Sequence, residues 1–152
     1  MSDAITIRDG RKEDVPRILE LIRELAHYEK ADDEVENTVA RLEEDGFGDT
    51  PLYFVMVAEL DGAIIGMSLC YFRYSTWKGK SLFMEDLIVS EAARGKGAGK
   101  ALLDATIAKA KDTGSTQVCW QVLDWNQPAI DFYKTYNATF DKEWLNCTVR
   151  VG

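Results

Sequence analysis

The sequence is poor in the residues that build metal sites and covalent staples. Among 152 residues there is one histidine, His27, and three cysteines, Cys70, Cys119 and Cys147. A metal site needs clustered ligands, and a lone histidine has no second one to pair with, so no metal is expected. An odd cysteine count, with each residue in an apolar or strand-like stretch, points to buried free thiols. An acyl-transfer pair of Cys119 with His27 has no supporting motif. No apolar run approaches the roughly 20 residues that cross a bilayer. The start, Met1-Ser2-Asp3-Ala4-Ile5, lacks the basic and then apolar segments of a signal peptide. The expectation is a cytoplasmic protein with no membrane partner. Positive charge is scarce too: 18 Lys and Arg against 26 Asp and Glu give a formal net charge of −8. Such a surface repels nucleic acid and attracts cations. Repeats, low-complexity stretches and Pro/Gly-rich linkers are missing as well, which leaves residues 1–152 as a single domain.

What is present alternates between two periodicities. Ile5 to Arg8 reads as a short strand. Asp9 or Asp14 then caps a helix whose Val15, Ile18, Leu19, Ile22, Leu25 and Ala26 share one face. A second helix runs from about Thr38 to Asp45 and stops at Gly46. Leu52–Leu60 and Ala63–Tyr74 form a hairpin about Asp61-Gly62, and Ser81–Val89 is a third strand. A helix from about Gly97 to Thr113 points Ala101, Leu102, Ala105 and Ala108 inward. Gln117–Leu123 is a strand. Pro128 opens a helix that ends at Tyr136, where Asn137 takes the left-handed cap. Trp144–Val151 closes the chain as a strand. The sum is a mixed α/β layer with antiparallel hairpins at its front.

Between the third strand and its helix lies Arg94-Gly95-Lys96-Gly97-Ala98-Gly99. Glycines let successive backbone N–H groups turn toward one anion, and a helix N-terminus adds partial positive charge. Arg94, Lys96 and Lys100 can contact phosphates. A Walker loop is excluded, because no Gly-Lys-Ser/Thr follows at the required spacing. A dinucleotide fingerprint is excluded by glycine spacing and by the late position of the loop. A merely tight strand–helix turn remains the plain structural alternative.

This loop, together with Asp124-Trp125-Asn126-Gln127-Pro128-Ala129-Ile130-Asp131-Phe132-Tyr133-Lys134 downstream, resembles the GNAT superfamily of N-acetyltransferases. More narrowly it is similar to the spermidine/spermine (diamine) and thialysine N-acetyltransferase group. Glu24–Glu29, Glu44–Gly48, Tyr74–Lys80 and Met84–Asp86 carry the resemblance across nearly the whole chain. It implies a mixed, mostly antiparallel sheet with a splayed central strand pair flanked by helices. It also implies acetyl-CoA as cosubstrate, a small cationic amine as acceptor, and a homodimer.

Residue by residue, the resemblance assigns the pantetheine arm to the backbones of Leu87, Ile88 and Val89, whose side chains read equally as core. It assigns the pyrophosphate to Arg94, Gly95, Lys96, Gly97, Ala98, Gly99 and Lys100. Asn126, Pro128 and Ala129 fall near the cofactor's thiol end, though Asn126 also fits a helix cap. Tyr133 matches the acid that protonates the leaving thiolate; packing of the last helix is its plainer reading. Tyr28, Glu29, Trp77, Glu85 and Glu143 match or suit the amine site, with Glu85 relaying the amine's proton and Glu29 and Glu143 holding a second positive group. Strand alternation places Glu85 and Asp86 on opposite faces. Ser75 departs from the pattern, standing where polyamine-acetylating relatives carry an acid. That favours a shorter diamine, thialysine or a lysine-like amine. A non-catalytic acetyl-CoA-binding module is the competing function.

Overall fold

A computed structural model describes residues 4–152; Met1 to Asp3, part of the segment read above for a leader, lie outside the described residues. The chain divides into a larger unit that ends at Gln121 and a smaller one, Val122–Gly152, each compact by itself. The larger unit carries one five-stranded sheet, ordered β1 (Thr6–Asp9), β2 (Phe54–Leu60), β3 (Ala63–Ser75), β4 (Gly79–Val89), β5 (Gln117–Cys119). The first three junctions are antiparallel and β4–β5 is parallel. Helices α1 (Val15–Tyr28), α2 (Val39–Phe47) and α3 (Ala98–Asp112) cover it. No helix of the described residues is long and apolar enough to cross a membrane.

The two faces of the sheet have separate cores. Val15, Ile18, Leu19 and Leu21 of α1 and Leu42 of α2 pack on Met67, Leu69 and Ile88. Ala93, Ala98 and Leu102 pack with Ala58 and Ile65, and with half-buried Leu87 and Val89, on the other face. Ile18, Leu21, Leu102 and Leu103 are fully buried, each contributing about 1.5–3 kcal/mol of transfer free energy. The β2–β3 hairpin turns on Asp61 (φ 53°) and Gly62 (φ 80°), the positive pair that matches the twist of flanking strands.

Several elements differ from the sequence reading. Asp14 precedes α1, but its carboxylate does not cap it; it accepts from Arg8 at 2.8 and 3.1 Å and from the Arg11 N–H at 2.8 Å. Helix α2 is capped by the Thr38 hydroxyl and runs through Gly46 to Phe47. Gly46 is there to admit the ring of Tyr53, whose hydroxyl donates to the Leu42 carbonyl at 2.6 Å. In α3 the buried positions are Ala98, Leu102, Leu103, Thr106 and Ala110, while Ala108 faces solvent. Thr106 goes inward because its hydroxyl meets Ser68 at 2.7 Å and donates to the Leu102 carbonyl at 2.8 Å.

Strand β5 is three residues long, not seven, and pairs only with Ser81, Leu82 and Phe83. The β4–β5 ladder runs over Ser81–Phe83. In the smaller unit α4 (Gln127–Lys134) has Pro128 in its first turn, and Asn137 adopts φ 57°. Trp144–Val151 is not a strand, and every residue from Thr139 onward is exposed. Cys147 is exposed with it, so only Cys70 is a fully buried thiol.

Candidate active site

The register between β3 and β4 decides where the acids point. Leu69 pairs with Asp86, but Cys70 pairs with Met84, which leaves Glu85 as the extra residue of a bulge. Paired residues share a face of the sheet, so Asp86 lies on the side of Leu69, beneath α1. Tyr71, two residues on from Leu69 and on the same face, donates its hydroxyl to Glu85 at 3.0 Å. Glu85 and Asp86 therefore share one face, contrary to the strict alternation expected, because a bulge resets the period of the strand.

That arrangement concentrates negative charge. Burial, then the charges of Glu85 and Glu29, pushes the Asp86 carboxyl up to about 7. It has no hydrogen bond or ion pair within the described residues. Burial raises Glu29 as well. Tyr71 is pushed up to about 12 by burial and then by its bond to Glu85, so it stays a donor at working pH. An incoming cation would relieve all three carboxylates together. A group near 7 is also suited to take a proton from a substrate at neutral pH.

The glycine loop stands at the end of the same strand. Gly95 (φ 85°) and Gly97 (φ 88°) are left-handed, and an added Cβ at either would meet open space. No side chain caps α3, so its first-turn N–H groups are available to an anion. Arg94 donates from Nε to the Val89 carbonyl at 3.2 Å, and its guanidinium lies 5.1 Å from the centre of the Tyr28 ring. Lys96 is exposed, and Lys100 pairs with Asp104 at 2.7 Å. Ile88 is buried toward α1 while Leu87 and Val89 pack toward α3. Their side chains are core, and every second backbone amide of this stretch faces away from β3. The left-handed glycines and the uncapped start of α3 are features that can receive an anion.

Tyr28, Glu29, Glu85, Leu87–Val89 and Arg94–Lys100 thus converge on one end of the sheet. Trp77 does not join them. It sits 82% exposed at the tip of the β3–β4 hairpin, about 20 Å from Glu85 along β4. Ser75 shares that tip, its hydroxyl accepting from the N–H groups of Trp77 (3.2 Å) and Lys78 (3.0 Å). In the smaller unit Asn126 caps α4 by accepting from the Ala129 N–H at 3.3 Å. Tyr133 is buried, its ring 5.5 Å from that of Phe132. Glu143 is exposed, its N–H donating to Asp141 at 2.9 Å. His27 meets Asp32 at 2.7 Å, and burial raises the Cys119 thiol, which disfavours a thiolate nucleophile there. Asp86 and Tyr71 were not singled out as site residues. For Asp86 a signal existed, an acid flanked by apolar strand residues; Tyr71 had none.

The model of the acetyltransferase (GNAT) family matches residues 15–137. A Bos taurus protein named thialysine N-epsilon-acetyltransferase is 42% identical over 142 residues, spanning 88% of this chain and 84% of that one. A Homo sapiens spermidine/spermine N(1)-acetyltransferase-like protein 1 is 36% identical over 90% of this chain, though over only 21% of its own length. Among solved structures, an aminoglycoside acetyltransferase from an uncultured soil metagenomic sample superposes with a TM-score of 0.78 at 21% identity, covering 97% of each chain. That last likeness is one of fold.

Proposed function

The chain belongs to the acetyltransferase (GNAT) family, and on that premise we propose that it passes the acetyl group of acetyl-CoA directly to a small primary amine in a ternary complex. The loop Arg94–Gly99 with Lys100 holds the pyrophosphate, and the open edge at Leu87–Val89 takes the pantetheine arm. An N–H at that edge polarises the thioester carbonyl. Asn126, Pro128 and Ala129 serve the thiol end, and the Tyr133 phenol gives its proton to the departing thiolate. The amine nitrogen attacks the thioester carbon, the carbon–sulfur bond breaks, and the nitrogen's proton passes to a carboxylate.

The observation that carries the acceptor class is the bulge that turns Glu85 and Asp86 to one face beside Glu29. Three acids there, with only like charge acting on Asp86, suit an ammonium group. An amine near 10.4 must be deprotonated before it attacks. Transfer to an ordinary carboxylate is strongly uphill, and less so to a carboxylate that burial holds well above its usual range. Asp86 is therefore the proton acceptor, and Glu85, fixed by Tyr71, relays to it or binds the ammonium. Glu29 holds a second positive group.

For the acceptor itself we favour thialysine, lysine-like amines or a short diamine. Relatives named for thialysine support this. A cytoplasmic homodimer is part of the same reading. The exposed apolar tail supports it, and a second copy would give Trp77 and Glu143 an amine site to complete. The test is a panel of thialysine, lysine, diamines and polyamines mixed with acetyl-CoA while free thiol is followed. Release with thialysine or a short diamine at higher kcat/KM than with spermidine is expected. Saturable acetyl-CoA binding with no amine acetylated would establish the non-catalytic module instead.

A further inference from the structure

Helix α1 is tied to the cofactor loop at two points, one helical turn apart. Glu24 accepts hydrogen bonds from the Glu91 N–H at 2.8 Å and from the Ser90 hydroxyl at 3.3 Å. One turn further along, the Tyr28 ring faces the Arg94 guanidinium. The spacing fits on both partners. Residues 24 and 28 share a face of an α-helix, and 91 and 94 are one turn apart across the 3-10 turn Glu91–Ala93. Ser90 does not cap that turn with its own side chain, so Glu24 supplies the acceptor for its first N–H from another element.

We infer that Glu24 is a positioning residue that couples the acetyl-CoA loop to the amine subsite. Placement of Ser90–Arg94 by a bound pyrophosphate carries the end of α1, with Tyr28 and Glu29, into place. The inference rests on the reading of that loop as the acetyl-CoA cradle. Of the two ties, the one through Glu24 persists when cofactor binds. Arg94 is the residue a phosphate would recruit, and a guanidinium bonds phosphate more strongly than it does an aromatic face. The Glu24 bond goes to a backbone N–H and a hydroxyl that no phosphate needs. Glu29 lies five residues beyond the clamp, and its charge acts on Asp86. A shift of α1 thus reaches the carboxylates without any contact between Glu24 and substrate.

Hydrogen exchange of the full chain, with and without coenzyme A, tests this apart from turnover. In the parent protein coenzyme A is expected to slow exchange both in residues 90–100 and in 24–31. In Glu24→Ala, and in Glu24→Asp, whose shortened arm withdraws the carboxylate, the loop stays protected and 24–31 does not. Glu24→Gln keeps an acceptor oxygen and restores the pattern. In parallel, amine affinity measured with and without coenzyme A should differ by about fivefold or more in the parent and not at all in Glu24→Ala. Equal protection of 24–31 in the parent and in both shortened variants overturns the inference, as does a parent in which only the loop responds. No protection of 90–100 in the parent would instead sink the cofactor reading itself.

Discussion

Asp86 is a carboxylate held in a place that does not suit its charge. Burial and two neighbouring acids raise it to about 7, against about 3.9 in an unfolded chain. The folded state thus binds this proton more tightly. Its contribution to stability is full below about pH 4, declines as pH rises toward 7, and stays reduced above. Asp86→Asn should remove that decline. Urea unfolding is expected to show the variant more stable than the parent by roughly 2–4 kcal/mol at pH 8 and within about 1 kcal/mol at pH 4. A gain of the same size at both pH values would mean the proton is not the cause. The same substitution should lower kcat/KM by about 100-fold or more and erase the part of its rise centred near pH 7. A stability gain paired with a loss of rate is what a functional acid predicts and a structural one does not. Tyr71 has a narrower task. It remains protonated to about pH 12 and aims Glu85 through one 3.0 Å bond. Tyr71→Phe should cost about 1 kcal/mol of orientation, read as a fall in kcat/KM for the amine of about fivefold. The KM for acetyl-CoA should hold, and an equal change in both would place Tyr71 in general packing.

At the scale of elements, the loop Arg94–Gly99 depends on two left-handed residues and on the uncapped start of α3. Gly97 precedes Ala98 at φ 88° with nothing within 4 Å of an added Cβ, so sterics with neighbours do not limit a substitution; the backbone alone does. Gly97→Ala should destabilise the fold by about 1–2 kcal/mol and weaken acetyl-CoA binding by calorimetry about tenfold or more. An unchanged affinity would show that the N–H groups of this turn are not the anion's ligands. Elements of this kind were legible in the sequence because their chemistry is local: Asp61-Gly62 announces its turn, and the apolar spacing of Val15 to Ala26 announces α1. The bulge at Glu85 was not legible. Nothing in Met84-Glu85-Asp86-Leu87 says that β3 skips a residue opposite it, and that skip is what brings the two acids together. Ala108 and Thr106 show the same limit. Alanine is equally at home on either side of a helix, while Thr106 goes inward only because Ser68 waits on β3 with a hydroxyl. The glycine turns and the β2–β3 hairpin could be read ahead; the face of β4 that its acids take could not.

Over the whole molecule, the feature least explained by one chain is its end. The alternation of Leu145, Cys147, Val149 and Val151 with polar Asn146, Thr148 and Arg150 is that of a half-buried strand, yet every one of these residues is exposed. Trp144, Leu145, Val149 and Val151 are between 72% and 97% exposed. Four large apolar side chains in water favour whatever covers them. The net charge of −8 opposes casual association, so the cover has to be specific. A second copy meets that condition, since exchange of an identical element between copies builds a closed pair at low cost. Light scattering of the full chain is expected to give twice the mass of one chain, and a chain ended after Asn137 should give one mass while still binding coenzyme A. If the shortened chain also scatters as a pair, the tail is not the cover. If the full chain runs as one mass at micromolar concentration, the homodimer is wrong, and Trp77, about 20 Å along β4 from Glu85, has no amine site to serve.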